Sequence, residues 1–185
     1  MSDEISRWVK EWVVAENICP FANKVIAEQS LRISCCGSEV DETATRFLLQ
    51  ELALIYESSE KEISTSLLVF PNLFADFDDY LDFLADAENL LEEAGLVGQL
   101  QIASFHPHYC FQGVDETAVS NYTNRSPYPL LHLIREQQLE EALKHYPEPE
   151  QIPENNIKHL EQLGLNEVLQ RLHAISEHYP EPIQN

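Results

Sequence analysis

Basic residues are scarce in this 185-residue chain: 11 Lys and Arg stand against 32 Asp and Glu, a formal net charge of -21. A surface that acidic repels phosphate backbones and anionic headgroups, so neither nucleic acid nor a membrane is an expected partner. Long apolar runs are missing as well. No stretch approaches the roughly 18 uninterrupted apolar residues of a membrane span. The start, Met1-Ser2-Asp3-Glu4, lacks the basic and apolar regions of a signal peptide, which makes the cytoplasm the expected location. Glycine is sparse, with 5 in the chain, and no glycine-rich phosphate loop is present. Neither G-x-S-x-G nor H-E-x-x-H occurs. The cysteines at positions 19, 35, 36 and 110 match no zinc-finger spacing, and Ala22 stands where a C-x-x-C pair needs its second thiol. Reduced thiols are expected.

What is present suits one domain. Hydrophobic residues make up 44% of the chain and charged residues 23%, the balance of a globular protein with a core. Ile5, Trp8, Val9, Trp12 and Val13 fall at helical spacing, and Pro20 is placed to open a second helix with Val25 and Ile26 inward. Strands are expected at 31–36, 65–70, 99–105 and 130–134, the second a continuous apolar run stopped by Pro71. Helices are expected at 41–57, with Val40, Ala44, Phe47, Leu48 and Ile55 toward the core, and at 76–94, with Phe77, Tyr80, Leu81, Leu84 and Leu91 on one side. Three more are expected at 137–146, 154–163 and 166–177, with Gly164 as a stop and Asn166 as an N-cap. His145-Tyr146-Pro147-Glu148-Pro149 recurs at 178–182 and reads as a helix stop running into extended proline segments. The fold class that follows is α/β: a single domain with a roughly four-stranded mixed sheet covered by helices. Residues 1–150 form its core, and 151–185 a C-terminal helical extension with a short tail.

Ligands gather at the carboxyl ends of strands in such sheets. The long stretch 106–129 begins at one of them, and a loop that long inside a compact domain is often functional. If the fourth strand runs antiparallel, its start meets the same edge. His106 is the candidate acid or base there, and Arg125 the candidate anchor for a carboxylate or phosphate. Asn121, Asn124, Tyr109, Tyr128, Ser126 and Arg135 are candidate substrate-binding groups. Cys19, just before a helix-opening proline, is a candidate nucleophile whose thiol pKa the helix dipole would lower. His106, His108 and His132 are candidate ligands for a divalent metal.

The chain carries Asn17-Ile18-Cys19-Pro20-Phe21-Ala22, Ser104-Phe105-His106-Pro107 with Tyr109, and Asn121-Tyr122-Thr123-Asn124-Arg125-Ser126-Pro127-Tyr128-Pro129 with Leu131-His132-Leu133. In these motifs the chain resembles a family of short bacterial proteins of unknown function. The resemblance spans nearly the whole chain and implies a small one-domain protein. It brings no activity, cofactor or catalytic assignment. The residues favour a small enzyme acting on a polar or anionic small molecule at a His/Arg/Asn/Tyr-lined pocket. Two alternatives stay open: a His-rich metal-binding protein, and a non-catalytic interaction module using the acidic helix and the proline segments.

Overall fold

The computed structural model describes residues 2–179. Four strands, β1 (Leu31–Cys35), β2 (Thr65–Val69), β3 (Leu100–Phe105) and β4 (Leu130–Arg135), form one sheet in the order β1-β2-β4-β3. β1 and β2 are parallel, and β4 runs antiparallel to both β2 and β3. The connections explain this mixture. Helix α3 (Asp41–Glu57) joins β1 to β2 and helix α4 (Phe77–Glu93) joins β2 to β3, as parallel crossovers require. No such helix separates β3 from β4, and the chain returns in the opposite sense.

Each face of the sheet has its own core. On one face Leu48, Leu52 and Ile55 of α3 and Tyr80, Phe83, Ala87 and Leu91 of α4 pack on Leu68, Leu100, Leu131 and Leu133. On the other, Leu67, Val69 and Leu130 meet Ile5 and Trp8 of α1 (Ser2–Trp8) and Val9 and Trp12 of the π-helix that follows. Helices α6 (Ile152–Leu163) and α7 (Leu165–Ile175) complete this second core through Leu160, Val168, Leu169, Leu172 and Ile175. Alternation along β2 separates the two cores, Leu67 and Val69 facing one way and Leu68 the other.

Several elements differ from the sequence expectation. The N-terminal helix widens into a π-helix over Val9–Val14, and its register is continued by a bond from Ile18 N–H to the Val13 carbonyl (2.9 Å). Helix α2 (Ala22–Ala27) starts two residues after Pro20 and buries none of its residues, so Val25 and Ile26 are only half-covered. Val40 is 55% exposed because it sits outside α3 as its extended N-cap residue. On α4, Phe83 takes the core position expected of Leu81, which is 41% exposed. Asp76 caps α4 by accepting from the Asp78 and Asp79 N–H groups. Gly164, with φ of 78°, ends α6 as expected, but it also directly precedes α7, so Asn166 lies inside that helix and does not cap it. The first His-Tyr-Pro-Glu-Pro copy leads from α5 (Glu136–Lys144) into a 3-10 turn, Pro149–Gln151, instead of an extended segment. The second copy runs beyond the described residues after Tyr179.

Candidate functional site: a cavity on one face of the sheet

The loop from His106 to Pro129 is well filled. A 3-10 helix, Val119–Thr123, occupies its second half. His106 is fully buried against the rings of Phe77 and Tyr80 on α4. Its Nδ1 accepts from the His108 N–H (3.0 Å), so Nε2 carries the proton and donates to the Phe74 carbonyl (2.8 Å). Phe74 is held at φ 59°, a left-handed conformation rare for a non-glycine residue, and His106 ties that turn down. Burial lowers the His106 pKa to about 4. With both nitrogens engaged, the ring has none to offer a substrate.

The other polar groups of the loop behave alike. Arg125 donates from Nε to the Tyr109 carbonyl (3.2 Å) and from Nη2 to the Glu116 carbonyl (2.9 Å), with its guanidinium 4.2 Å from the centre of the Tyr122 ring. Asn121, fully buried, accepts from Phe111 N–H (3.1 Å) and donates to the Asp115 carbonyl (2.8 Å). Asn124 donates to the Ser104 carbonyl, and Ser126 to the Tyr128 carbonyl. The Tyr109 ring lies between Phe77 and Phe111. Tyr128 donates to Glu4 on α1 (2.7 Å). Arg135 donates to the Ile55, Ser58 and Ile63 carbonyls around the end of α3. The loop's backbone turns away from the sheet ladder, and these side chains satisfy the groups left over.

The three candidate metal histidines do not converge. His106 faces α4, whereas His132 lies on the opposite face of the sheet near Phe105. Among the described residues no three His, Cys, Asp or Glu side chains are grouped as a metal ion would need.

His132 faces a cavity of about 750 Å³ between the sheet and the helices α2 and α5. That volume is in the range of small-molecule sites, roughly 300–1,000 Å³. Its floor is Leu31, Thr65, Leu67, Ala103, Phe105, His132 and Ile134, and its walls include Trp8, Val9 and Val13, Phe21 and Val25, and Leu139 and Ala142. The reason for the space is local. Helix α5 is amphipathic but buries no residue, and α2 buries none either, so both stand off the sheet. Ala103 and Ala142 are too small to fill the gap between them. The π-helix supplies Val9 and Val13, and π-turns occur disproportionately at functional sites.

The surface of this cavity is mostly apolar, and two of its polar groups, Thr65 and His132, lie on the floor. The Thr65 hydroxyl contacts His132 Nε2 at 2.6 Å and also donates to the Leu133 carbonyl. A hydroxyl has one proton, so Nε2–H must donate to Thr65, and Nδ1 carries the lone pair. Nδ1 has no hydrogen-bond partner among the described residues and is absent from the sealed polar atoms there, so it is open to the cavity. Burial lowers the His132 pKa to about 4, so the ring is neutral at neutral pH. Cys19 lies in the wall. The backbone N–H groups of Phe21 and Ala22 favour the thiolate, as a helix start would, but burial outweighs them and pushes the thiol pKa up. At the rim, Lys24, Arg135 and Lys144 balance Glu28, Glu60 and Glu141, a neutral mouth in a very acidic chain.

Of the residues singled out from sequence, Cys19, His132 and Arg135 therefore border the cavity, and His106, Arg125, Asn121, Asn124, Tyr109, Ser126 and Tyr128 do not. Thr65, Phe105, Ala103 and the walls from the π-helix and α5 carried one legible signal: small alanines facing a strand histidine across an amphipathic helix.

Fold and cavity together define a single-domain α/β protein with a mixed four-stranded sheet and a ligand-sized cavity on one face. The chain belongs to the family described as protein of unknown function (DUF1415), which matches residues 1–170. No curated protein and no solved structure matches the chain. Among the described residues no helix is long and apolar enough to cross a membrane.

Proposed function

We propose that this protein binds a small, largely apolar molecule in the cavity between the sheet and α2/α5. One observation carries the reading: about 750 Å³ of space whose lining surface is mostly apolar, with charged side chains in balance around it and the Thr65–His132 pair on its floor. Such a composition is that of sites that bury most of a ligand's surface and fix its orientation through a few polar contacts. The neutral rim favours a neutral ligand over the anionic one that Arg125 suggested, because Arg125 spends its fork on backbone carbonyls. The loop 106–129 then serves as scaffold. It covers the carboxyl edge of the sheet and holds β3 and β4 in place.

A neutral dye that fluoresces only in apolar surroundings, N-phenyl-1-naphthylamine, tests this. The wild-type chain should enhance its emission saturably. Ala142→Trp, on a helix that buries nothing, should abolish the enhancement by filling the cavity while leaving the circular dichroism unchanged. Undiminished binding by that variant, or none by the wild type, overturns the reading.

A further inference from the structure

We infer that the ligand of this cavity carries a hydrogen-bond donor, a hydroxyl or an N–H, on an otherwise apolar neutral body, and that His132 Nδ1 is the acceptor that selects it. The inference rests on the cavity reading above and deepens it by naming the ligand's chemistry.

Leu133 offers only a carbonyl to Thr65, so the single Thr65 proton goes there. Thr65 Oγ1 must then accept from His132 Nε2, which fixes the tautomer from below. What faces the cavity is therefore an acceptor that cannot change sign. A ligand atom that brings a proton satisfies it. An ether oxygen or a carboxylate brings a second lone pair to the same place and leaves both unsatisfied, the costly arrangement in an apolar site. The neighbours sharpen the requirement. Ala103, which pairs with His132 across β3 and β4, leaves room beside the ring, and Phe105 stands 6.3 Å away, centre to centre, as an apolar wall. Among the described residues no lysine or arginine is bonded to Thr65 or His132; the cavity's cations, Lys24, Arg135 and Lys144, are matched by Glu28, Glu60 and Glu141, and Arg135 is committed to backbone carbonyls. Thr65 acts here as a positioning residue, because it touches the imidazole and sets which nitrogen is bare.

The test compares two neutral molecules of nearly the same shape, 2-naphthol and 2-methoxynaphthalene, by fluorescence titration or calorimetry. The naphthol should bind about tenfold tighter, the worth of one hydrogen bond in this setting. His132→Phe should bring that ratio to about one, by weakening the naphthol and relieving the ether of the facing lone pair. Thr65→Val should also narrow the ratio, but by a gain for the ether. Without its partner the imidazole can move its proton to Nδ1 and donate to the ether oxygen, an outcome that a purely structural threonine would not produce. Equal affinities in the wild type, or a preference that survives His132→Phe, overturn the inference while the cavity reading stands. If neither compound binds, both fall.

Discussion

His106 directly follows β3 and His132 lies in the neighbouring β4, and burial lowers both pKa values to about 4. They nevertheless do different work. His106 is sealed, with one nitrogen on the Phe74 carbonyl and the other on the His108 N–H. His132 has one nitrogen on Thr65 and one facing space. The same contrast separates the regions around them. The loop 106–129 is rich in hydrogen-bonding side chains, and its Arg125, Asn121, Asn124 and Ser126 are committed to backbone groups. The cavity's surface is mostly apolar, and the imidazole on its floor has an uncommitted nitrogen. Polar density is therefore a poor guide to a site. Unspent hydrogen-bonding capacity beside empty volume is a better one.

The largest effect expected on this contrast comes from Arg125→Ala. It removes two charge-assisted bonds to carbonyls and the stack on Tyr122, and should cost about 3 kcal/mol or more in urea denaturation. Dye binding by the folded protein should persist. If dye affinity collapses while stability is untouched, the division between scaffold and site is wrong. His106→Ala should cost about 2 kcal/mol by freeing the Phe74 turn and opening a gap beside Tyr80, again with the cavity intact.

Acid should weaken the fold through both imidazoles. The unfolded rings take up protons near pH 6.5, whereas the folded ones resist until about pH 4. Stability should thus fall as pH drops from about 6.5 to 4, by at most about 1.4 kcal/mol per pH unit for each ring, and be insensitive to either ring above that window. Equilibrium unfolding across this range checks the sign, and His106→Gln should flatten the slope. The smallest effect is expected of His132→Phe at pH 7.5, within about 1 kcal/mol, because Thr65 keeps its bond to the Leu133 carbonyl. A large loss would mean that His132 is as structural as His106.

Much of the fold could be read from the chain. Apolar runs marked β2 and β4, and alternation of strand and helix implied parallel crossovers, whereas the antiparallel sense of β4 is visible only in its ladder pairings. The π-helix escaped notice because Ile5, Trp8 and Trp12 satisfy an α-helical pattern equally well. The location of the site was harder, for a reason that lies in register. Ala103 pairs with His132, and paired residues share a face. His106 lies three residues beyond Ala103, an odd step, so it points to the other face. A chain can show that one histidine sits on a strand and another at the end of the next without showing which residues pair, and one residue of slip would have put them on one face. The loop misled for a related reason. Donors aimed at the backbone and donors aimed at a ligand have the same composition.

The place of β4 in the sheet also sets an order of events during synthesis. β3 has β4 as its sole neighbour in the sheet, and β2 reaches β3 only through it. Until residues 130–135 have left the ribosome, β1 and β2 can pair, while β3 has no strand to join and one edge of β2 lies bare. A nascent chain ending near Pro129 is thus half a sheet with exposed edges, the form in which such a protein is most open to aggregation or to a chaperone. The cavity, floored by residues from all four strands and walled by α5, can take shape only after that late strand has slotted into the middle.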